Sequence, residues 1–250
     1  MKLRINSIFE SIDGEANGWK GAGEFSTFIR FQGCNLDCSY CDTRYAQHAS
    51  EGGVVMSLNE IIEKVRMPKV TITGGEPFLQ PAVFELINRL AGLGKNISVE
   101  TNGSIKPTKS ALLLPKTRYI ADCKLPSSGI QQTTDDRISQ MYWWRCSDVI
   151  KFVVVDELDY QEFRRIMDHY FLDLAVSCVH GCERFPSFVV SPGIPDLCGT
   201  DIDLSTVFQQ YGAPLVDRLL ADMTRNPGLS KVQFSLQVHK VLWPGATVER

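Results

Sequence analysis

Short runs of β-branched and aromatic residues recur along the chain, each closed by polar or glycine-rich punctuation. Residues 5–10 read as a strand, and Ser11, Ile12, Asp13, Gly14 and Glu15 as a polar turn. Gly18, Gly21 and Gly23 then mark a flexible loop. Phe25, Phe28, Ile29 and Phe31 define a strand over 25–31. Ser57 and Glu60 have the spacing of a capping box, which predicts an amphipathic helix from there to about Met67. A buried strand over 69–73 runs into Gly74, Gly75, Glu76 and Pro77. Val83, Leu86, Ile87 and Leu90 give helical spacing over 81–93, with Gly94 as the C-terminal cap. Further strands are predicted at 97–103 (turn included), 118–122, 148–155, 188–192 and 232–238, and helices at 160–170 and 215–224.

Strands alternating with helical segments predict an α/β fold with a mainly parallel sheet. The strands outnumber the clear helices, which predicts an incomplete barrel of the TIM type. Thr73, Thr101, Asp122, Ser191 and His239 fall at the C-terminal ends of strands, the end that carries the active site in α/β barrels. There is no internal repeat, linker or low-complexity stretch, so residues 1–250 are expected to form a single domain.

Composition narrows the function classes. A net charge of −3, from 26 basic and 29 acidic residues, argues against a general nucleic-acid or membrane-surface role. No apolar run approaches the ~18 residues of a membrane span. No signal peptide is evident after Met1, so the eight cysteines are expected in a reducing cytoplasm, where clusters of cysteine mean metal or redox chemistry.

The chemistry concentrates in the loop at residues 34–43. Cys34, Cys38 and Cys41 have the spacing C-x3-C-x2-C, tight enough to turn three sulfurs toward one point. Three thiolates do not complete a tetrahedral zinc site. They suit a cubane iron–sulfur cluster, which normally takes four cysteines, with one iron left open for a ligand. Gly74 and Gly75 at a strand end permit close approach of backbone to that ligand. Arg30 is a charge inside an apolar strand. It is either ion-paired at the surface or a fork for a ligand carboxylate near the cluster.

This spacing, with the aromatic Tyr40 just before the last cysteine, resembles the radical S-adenosylmethionine (radical SAM) superfamily. The resemblance implies a 4Fe–4S cluster whose open iron chelates the amino and carboxylate groups of SAM. One electron then releases a 5′-deoxyadenosyl radical. Four features narrow the resemblance: Ser11 to Glu15 ahead of Phe28, Ile29 and Arg30; Asp42 and Thr43 directly after Cys41; Thr73 to Pro77; and the closing Gln237, Val238, His239 and Lys240. Together they look like the 7-carboxy-7-deazaguanine synthase family, most clearly over 5–45 and 70–103. That implies a pterin substrate, 6-carboxy-5,6,7,8-tetrahydropterin, which loses the hydrogen on C6, contracts and releases ammonia. SAM is regenerated and Mg2+ is required. It further implies a flavodoxin- or ferredoxin-type electron donor and a homodimer.

Carried over residue by residue, the resemblance gives Ile12, Asp13 and Gly14 the pterin edge, Arg30 the substrate carboxylate, and Thr73 a further substrate contact. Tyr40, Gly75, Glu76, Gly103, Asp122, Cys123 and Lys124 would hold SAM, and Thr43 the Mg2+, whose remaining octahedral positions need substrate oxygens and water. Three departures stand out. Asp13 replaces the family's glutamine with an acceptor-only carboxylate. Asp122 and Cys123 replace its Ser-Pro before Lys124. The tail continues past Trp243 and Pro244 to Arg250. A radical SAM activase acting on a partner protein, or an electron carrier, is the competing reading. Cys178, His180, Cys182 and Cys198 are expected to be free or buried rather than a second metal site. Cys146, Trp143 and Trp144 are assigned to core or dimer surface, and His48 and His169 to the surface.

Overall fold

The computed structural model describes residues 1–14, 23–114, 116–177, 186–194 and 204–236. The expectations at Glu15, Gly18, Gly21, residues 178–182, Cys198, residues 237–240 and the tail beyond lie outside the described residues.

One nine-stranded sheet organises the chain, in the order β3-β1-β2-β4-β5-β6-β7-β8-β9. Its strands are β1 Lys2–Asp13, β2 Glu24–Phe31, β3 Val54–Ser57, β4 Lys69–Gly74, β5 Asn96–Thr101, β6 Thr117–Cys123, β7 Val149–Val154, β8 Ser187–Pro192 and β9 Val232–Phe234. From β2 to β9 every neighbouring pair is parallel, whereas β1 is antiparallel to both β2 and β3. Among the described residues the order does not close on itself, so the mainly parallel, incomplete barrel expected from the sequence is what forms.

The helices are α1 Leu58–Glu63, α2 Val83–Gly92, α3 Lys109–Leu112, α4 Thr134–Met141, α5 Glu157–Ser177, α6 Leu204–Val207 and α7 Ala213–Met223. They bury one face of the sheet. Ile29, Phe31, Val70, Ile72, Ile97, Val99, Tyr119 and Phe152 pack there with Leu86, Ile87, Phe163 and Ile166. Each such side chain contributes roughly 1.5–3 kcal/mol on burial.

Five boundaries stand out against the sequence reading. Residues 11–13 continue β1, because Ile12 and Asp13 pair with Phe25 and Glu24. The capping box at Ser57 and Glu60 forms, but α1 ends at Glu63. The chain then turns so that the Arg66 and Met67 N–H groups donate to Thr27 Oγ1, before Pro68. Helix α5 is longer than expected, and β9 is shorter. Cys123 is the last residue of β6, not a residue beyond it.

Candidate active site at the strand ends

The cysteine loop leaves the C-terminal end of β2 and is sewn shut where it returns. Gly33 N donates to Ala46 O (2.8 Å) and Cys34 N to Gln47 O (2.7 Å). Gln47 Nε2 reaches into the loop at Leu36 O and Asp37 Oδ1. On its far side the loop is held by the turn that follows β6, with Ser39 N on Ser128 O and Ser39 Oγ on Ser127 O. Cys38 is buried, and Cys34 and Cys41 are partly exposed. Burial raises the Cys34 and Cys38 thiols above the ordinary range. At Cys34 donors from Leu36 and Asn102 oppose it.

Among the described residues, no three His, Cys, Asp or Glu side chains gather closely enough to hold one ion. The three thiols share one short loop and lie near enough to interact electrostatically. A lone zinc needs all its donors around one centre. In a multi-iron cluster each thiolate binds its own iron, so three separated thiols on one loop fit a cluster. Thr43 directly precedes the short turn Arg44–Ala46 without a side-chain capping bond to it, and its Oγ1 lies 3.8 Å from Cys41 Sγ. That hydroxyl is one oxygen donor beside the cluster position, and an octahedral ion there would need the rest from ligand and water.

The turn after β4 is welded to the same loop. Gly75 N donates to Phe31 O (3.1 Å) and Glu76 N to Gly33 O (2.7 Å). A Cβ at Gly75 would lie 2.0 Å from Gly33 O, so only glycine permits this approach. These N–H groups are committed, and an ammonium group needs acceptors. Toward a ligand ammonium this turn could therefore offer only acceptors. Glu76 is fully buried and latches β4 to β5: Oε1 accepts from Phe78 N, and Oε2 from Asn102 N, with Thr101 Oγ1 between them. Burial raises its carboxyl to about 7 against the hydrogen bonds from Asn102, Phe78 and Thr101. Gly103 has φ +74°, and a Cβ there would meet Asp122 O at 2.5 Å.

At the end of β6, Asp122 bridges two lysines, Lys124 Nζ at 2.6 Å and, from the middle of β7, Lys151 Nζ at 3.3 Å. Burial is the largest effect on Asp122 and opposes ionisation, yet the two ammonium groups outweigh it and hold its carboxyl below the usual range. Lys124 Nζ also lies 5.7 Å from the Tyr40 ring, which ties this group to the cysteine loop. The Cys123 side chain points the other way, into the core beneath the helices. Only its backbone is available to a ligand.

Over β1, β2, β4 and β5 the second face of the sheet is rich in polar residues, whereas Ile120, Val149 and Val189 make a small apolar cluster over β6–β8. Register puts Ser7, Arg30 and Thr73 in one row, and Thr71, Ser98 and Arg118 in a row below. Ser7 Oγ, Arg30 Nε, Ser98 Oγ and Arg118 Nε are buried without hydrogen-bond partners among the described residues. The Arg30 guanidinium sits 5.6 Å from the Phe9 ring and 5.8 Å from the Tyr45 ring. Such stacking fixes the plane of the fork and leaves its edge for an anion.

Asp13 lies at the other end of this face. It is fully buried, with Lys69 Nζ at 2.6 Å and Thr71 Oγ1 at 2.9 Å. Thr71 spends its hydrogen on Asp13, so Ser26 Oγ donates to Thr71 (2.8 Å). The backbone of Asp13 is six residues of β2 away from the Arg30 row, but its carboxylate reaches inward to Thr71, two residues before Thr73 and about 7 Å of strand below that row. The structure thus brings Tyr40, Thr43, Thr73, Gly75, Glu76, Gly103, Asp122, Lys124 and Arg30 to the cysteine end, and does not bring the backbone of Ile12, Asp13 and Gly14 there. Sequence reasoning missed Lys69 and Lys151, because a lysine at a strand position carries no motif. It also passed over Asn102, whose only signal is its place before a glycine at a strand end.

Comparisons with known proteins agree with this geometry. The family model of the radical SAM superfamily matches residues 28–140. A 7-carboxy-7-deazaguanine synthase from Clostridium acetobutylicum is 30% identical over 247 residues, covering 97% of each chain. One from Methanospirillum hungatei is 36% identical over 203 residues, covering 77% of this chain and 80% of its own. Among solved structures, QueE from Escherichia coli matches with a TM-score of 0.58 at 18% identity, over 95% of this chain and 94% of its own. Streptococcus suis SuiB bound to precursor peptide SuiA matches with a TM-score of 0.54 at 15% identity, over 84% of this chain and 48% of its own. These two likenesses concern the fold alone.

Proposed function

We propose a division of labour among these residues in a chain that belongs to the 7-carboxy-7-deazaguanine synthase family of radical SAM enzymes. The reaction is contraction of 6-carboxy-5,6,7,8-tetrahydropterin to 7-carboxy-7-deazaguanine with loss of ammonia, as a step toward queuosine and related 7-deazapurines. The cofactors are a 4Fe–4S cluster, SAM and Mg2+. When bound, the cluster and SAM supply the one-electron chemistry that starts the rearrangement. Everything else is positioning and exclusion of water by the chain.

The observation that carries the substrate assignment is the set of unpartnered buried polar atoms, Ser7 Oγ and Arg30 Nε in one row and Ser98 Oγ and Arg118 Nε in the next. Buried polar groups are normally paired, so orphans on one face mark where a polar ligand completes them. In this reading Arg30 takes the substrate carboxylate, with Thr73 beside it. Thr43 gives one oxygen to Mg2+, whose charge steadies that carboxylate. Cys34, Cys38 and Cys41 hold the cluster. Tyr40, Gly75, Gly103, Asp122 and Lys124 flank SAM, and Glu76 and Cys123 shape that wall from behind. Ile12, Asp13 and Gly14 take the ring end of the substrate, with Asp13 held ready as an acceptor by Lys69. The single nine-stranded sheet supports reading residues 1–250 as one domain. A homodimer and a flavodoxin- or ferredoxin-type donor complete the proposal. Among the described residues no helix is long and apolar enough to cross a membrane.

The test is an anaerobic assay of reconstituted protein with SAM, a strong reductant, Mg2+ and the carboxytetrahydropterin, read by mass spectrometry. The product 7-carboxy-7-deazaguanine is expected. It should vanish in Cys34→Ala, and Thr43→Ala should need more Mg2+ to reach half-maximal rate. Formation of 5′-deoxyadenosine without that product would overturn the substrate assignment and favour an activase.

A further inference from the structure

Cys34 differs from its two partner cysteines in what points at its sulfur. Leu36 N lies 3.5 Å from Cys34 Sγ, and Asn102 Nδ2 lies 3.6 Å away, both within hydrogen-bonding reach of sulfur. The second donor comes from a different strand end, 68 residues along the chain.

The Asn102 carboxamide is not free to choose its orientation. Its oxygen accepts from Ser104 N (3.0 Å) and from Ser104 Oγ (2.6 Å). Ser104 Oγ in turn accepts from Asn35 Nδ2 (2.9 Å), and Asn35 Oδ1 accepts from Asn102 Nδ2 (3.0 Å). The ring Asn102–Ser104–Asn35 has donors and acceptors matched at every contact, so flipping the amide would set donor against donor and acceptor against acceptor. Asn102 N is anchored separately on Glu76 Oε2 (2.7 Å). The second Nδ2 hydrogen is left facing the thiolate.

We infer that Asn102 is a positioning residue that sets the reduction potential of the cluster through an N–H···S hydrogen bond to Cys34. The inference rests on the cluster reading above. Reduction adds one electron from an external reductant and makes the cluster and its thiolates more negative. A donor aimed at sulfur stabilises that added charge and raises the potential. The Glu76 latch gives the arrangement its rigidity, because it fixes the backbone from which the carboxamide hangs.

The experiment is a redox titration of the reconstituted full chain without SAM, monitored by electron paramagnetic resonance, with iron content and melting temperature as controls. Asn102→Ala is expected to shift the midpoint negative, so that about tenfold less cluster is reduced at a fixed poise, equivalent to about 59 mV for a one-electron couple. Asn102→Asp, which turns an acceptor toward the thiolate, is expected to shift it further. Ser104→Ala removes one of the two donors that orient the amide, and should shift it in the same direction by less. A purely structural asparagine would lower iron content or melting temperature and leave the midpoint of the loaded fraction where it was. Unchanged midpoints in all loaded variants would overturn the inference. If Asn102→Ala takes up no iron, the Ser104→Ala midpoint decides, negative in support and unchanged against. No cluster in the unmodified protein would overturn the cluster reading itself, and this inference with it.

Discussion

Glu76 is fully buried, and two backbone N–H groups and a hydroxyl converge on its carboxylate. Burial still lifts its carboxyl from the ordinary 4.5 to about 7. Below about pH 4.5 the group is protonated in folded and unfolded chains alike and contributes no pH dependence. Between about 4.5 and 7 the unfolded chain ionises first, so stability falls as pH rises, and above about 7 the loss is complete. The shift corresponds to about 3 kcal/mol. Denaturant unfolding across that window should therefore show the unmodified protein losing ground relative to Glu76→Gln as pH rises, with a constant gap above about pH 7.5. A gap that stays constant throughout would mean that the Glu76 carboxyl titrates alike in the folded and unfolded chains. At this scale the sequence was partly legible. The three cysteines share one loop, and Arg30 and Thr73 share one register row near it, because motif spacing and strand parity are local properties. Glu76 and Cys123 were legible as members of a stretch but not in orientation: one side chain is a latch and the other is core. Asp13 was read as a turn residue, and the buried Lys69 that pairs with it is 56 positions away, a distance no local pattern spans.

The site depends on how closely the elements approach. The β4 turn lies against the cysteine loop backbone to backbone, and Gly75 is the contact point. A Cβ there would meet Gly33 O, an atom fixed at both ends by the loop's own hydrogen bonds, so nothing flexible can yield. Gly75→Ala is expected to cost about 3 kcal/mol or more and to lower iron uptake on reconstitution. Gly92, the last residue of α2, offers the contrast: a Cβ there meets nothing within 4 Å. Gly92→Ala should be neutral or stabilising by up to ~1 kcal/mol. Thermal melts and iron analysis of the two variants measure the difference, and equal behaviour would remove the close approach as the reason for glycine at 75. Most strands and the larger helices were readable because apolar periodicity reports which face is buried. Strand β3 was missed because Val54 and Val55 are exposed on an edge, and α4 because it buries Arg137 beside Ile138 and Met141, which blurs its apolar stripe. Arg137 is satisfied there by Glu162 (3.0 Å), a partner supplied by α5.

Across the whole molecule the sheet separates two kinds of interior, an apolar one under the helices and, on its other face, a largely polar one with a small apolar cluster of Ile120, Val149 and Val189. The described cysteines sample both, and their reactivity should report the division. Cys123 lies in the apolar layer, and burial pushes its thiol up to about 12. The thiolate is the nucleophile, so this group is both inaccessible and protonated at neutral pH. Cys146 is exposed. Cys34 and Cys41 are partly exposed in the loop, and Cys38 is buried there. Timed alkylation of the anaerobic protein, mapped by peptide mass spectrometry, should label Cys146 first whether or not a cluster is present. Cys34 and Cys41 should react in the cluster-free protein and be protected after reconstitution. Cys38 should follow them more slowly, and Cys123 should react only after denaturation. Protection of Cys146 along with the loop cysteines would place a second iron-binding group outside the loop. Labelling of Cys123 in the native protein would mean that the apolar layer opens on the timescale of the reaction, so that the sheet does not keep its two interiors apart. Cysteines 34, 38 and 41 form one protected set only if the loop folds against β4, β5 and β6 together, so the labelling pattern also measures whether those strand ends assemble as a unit.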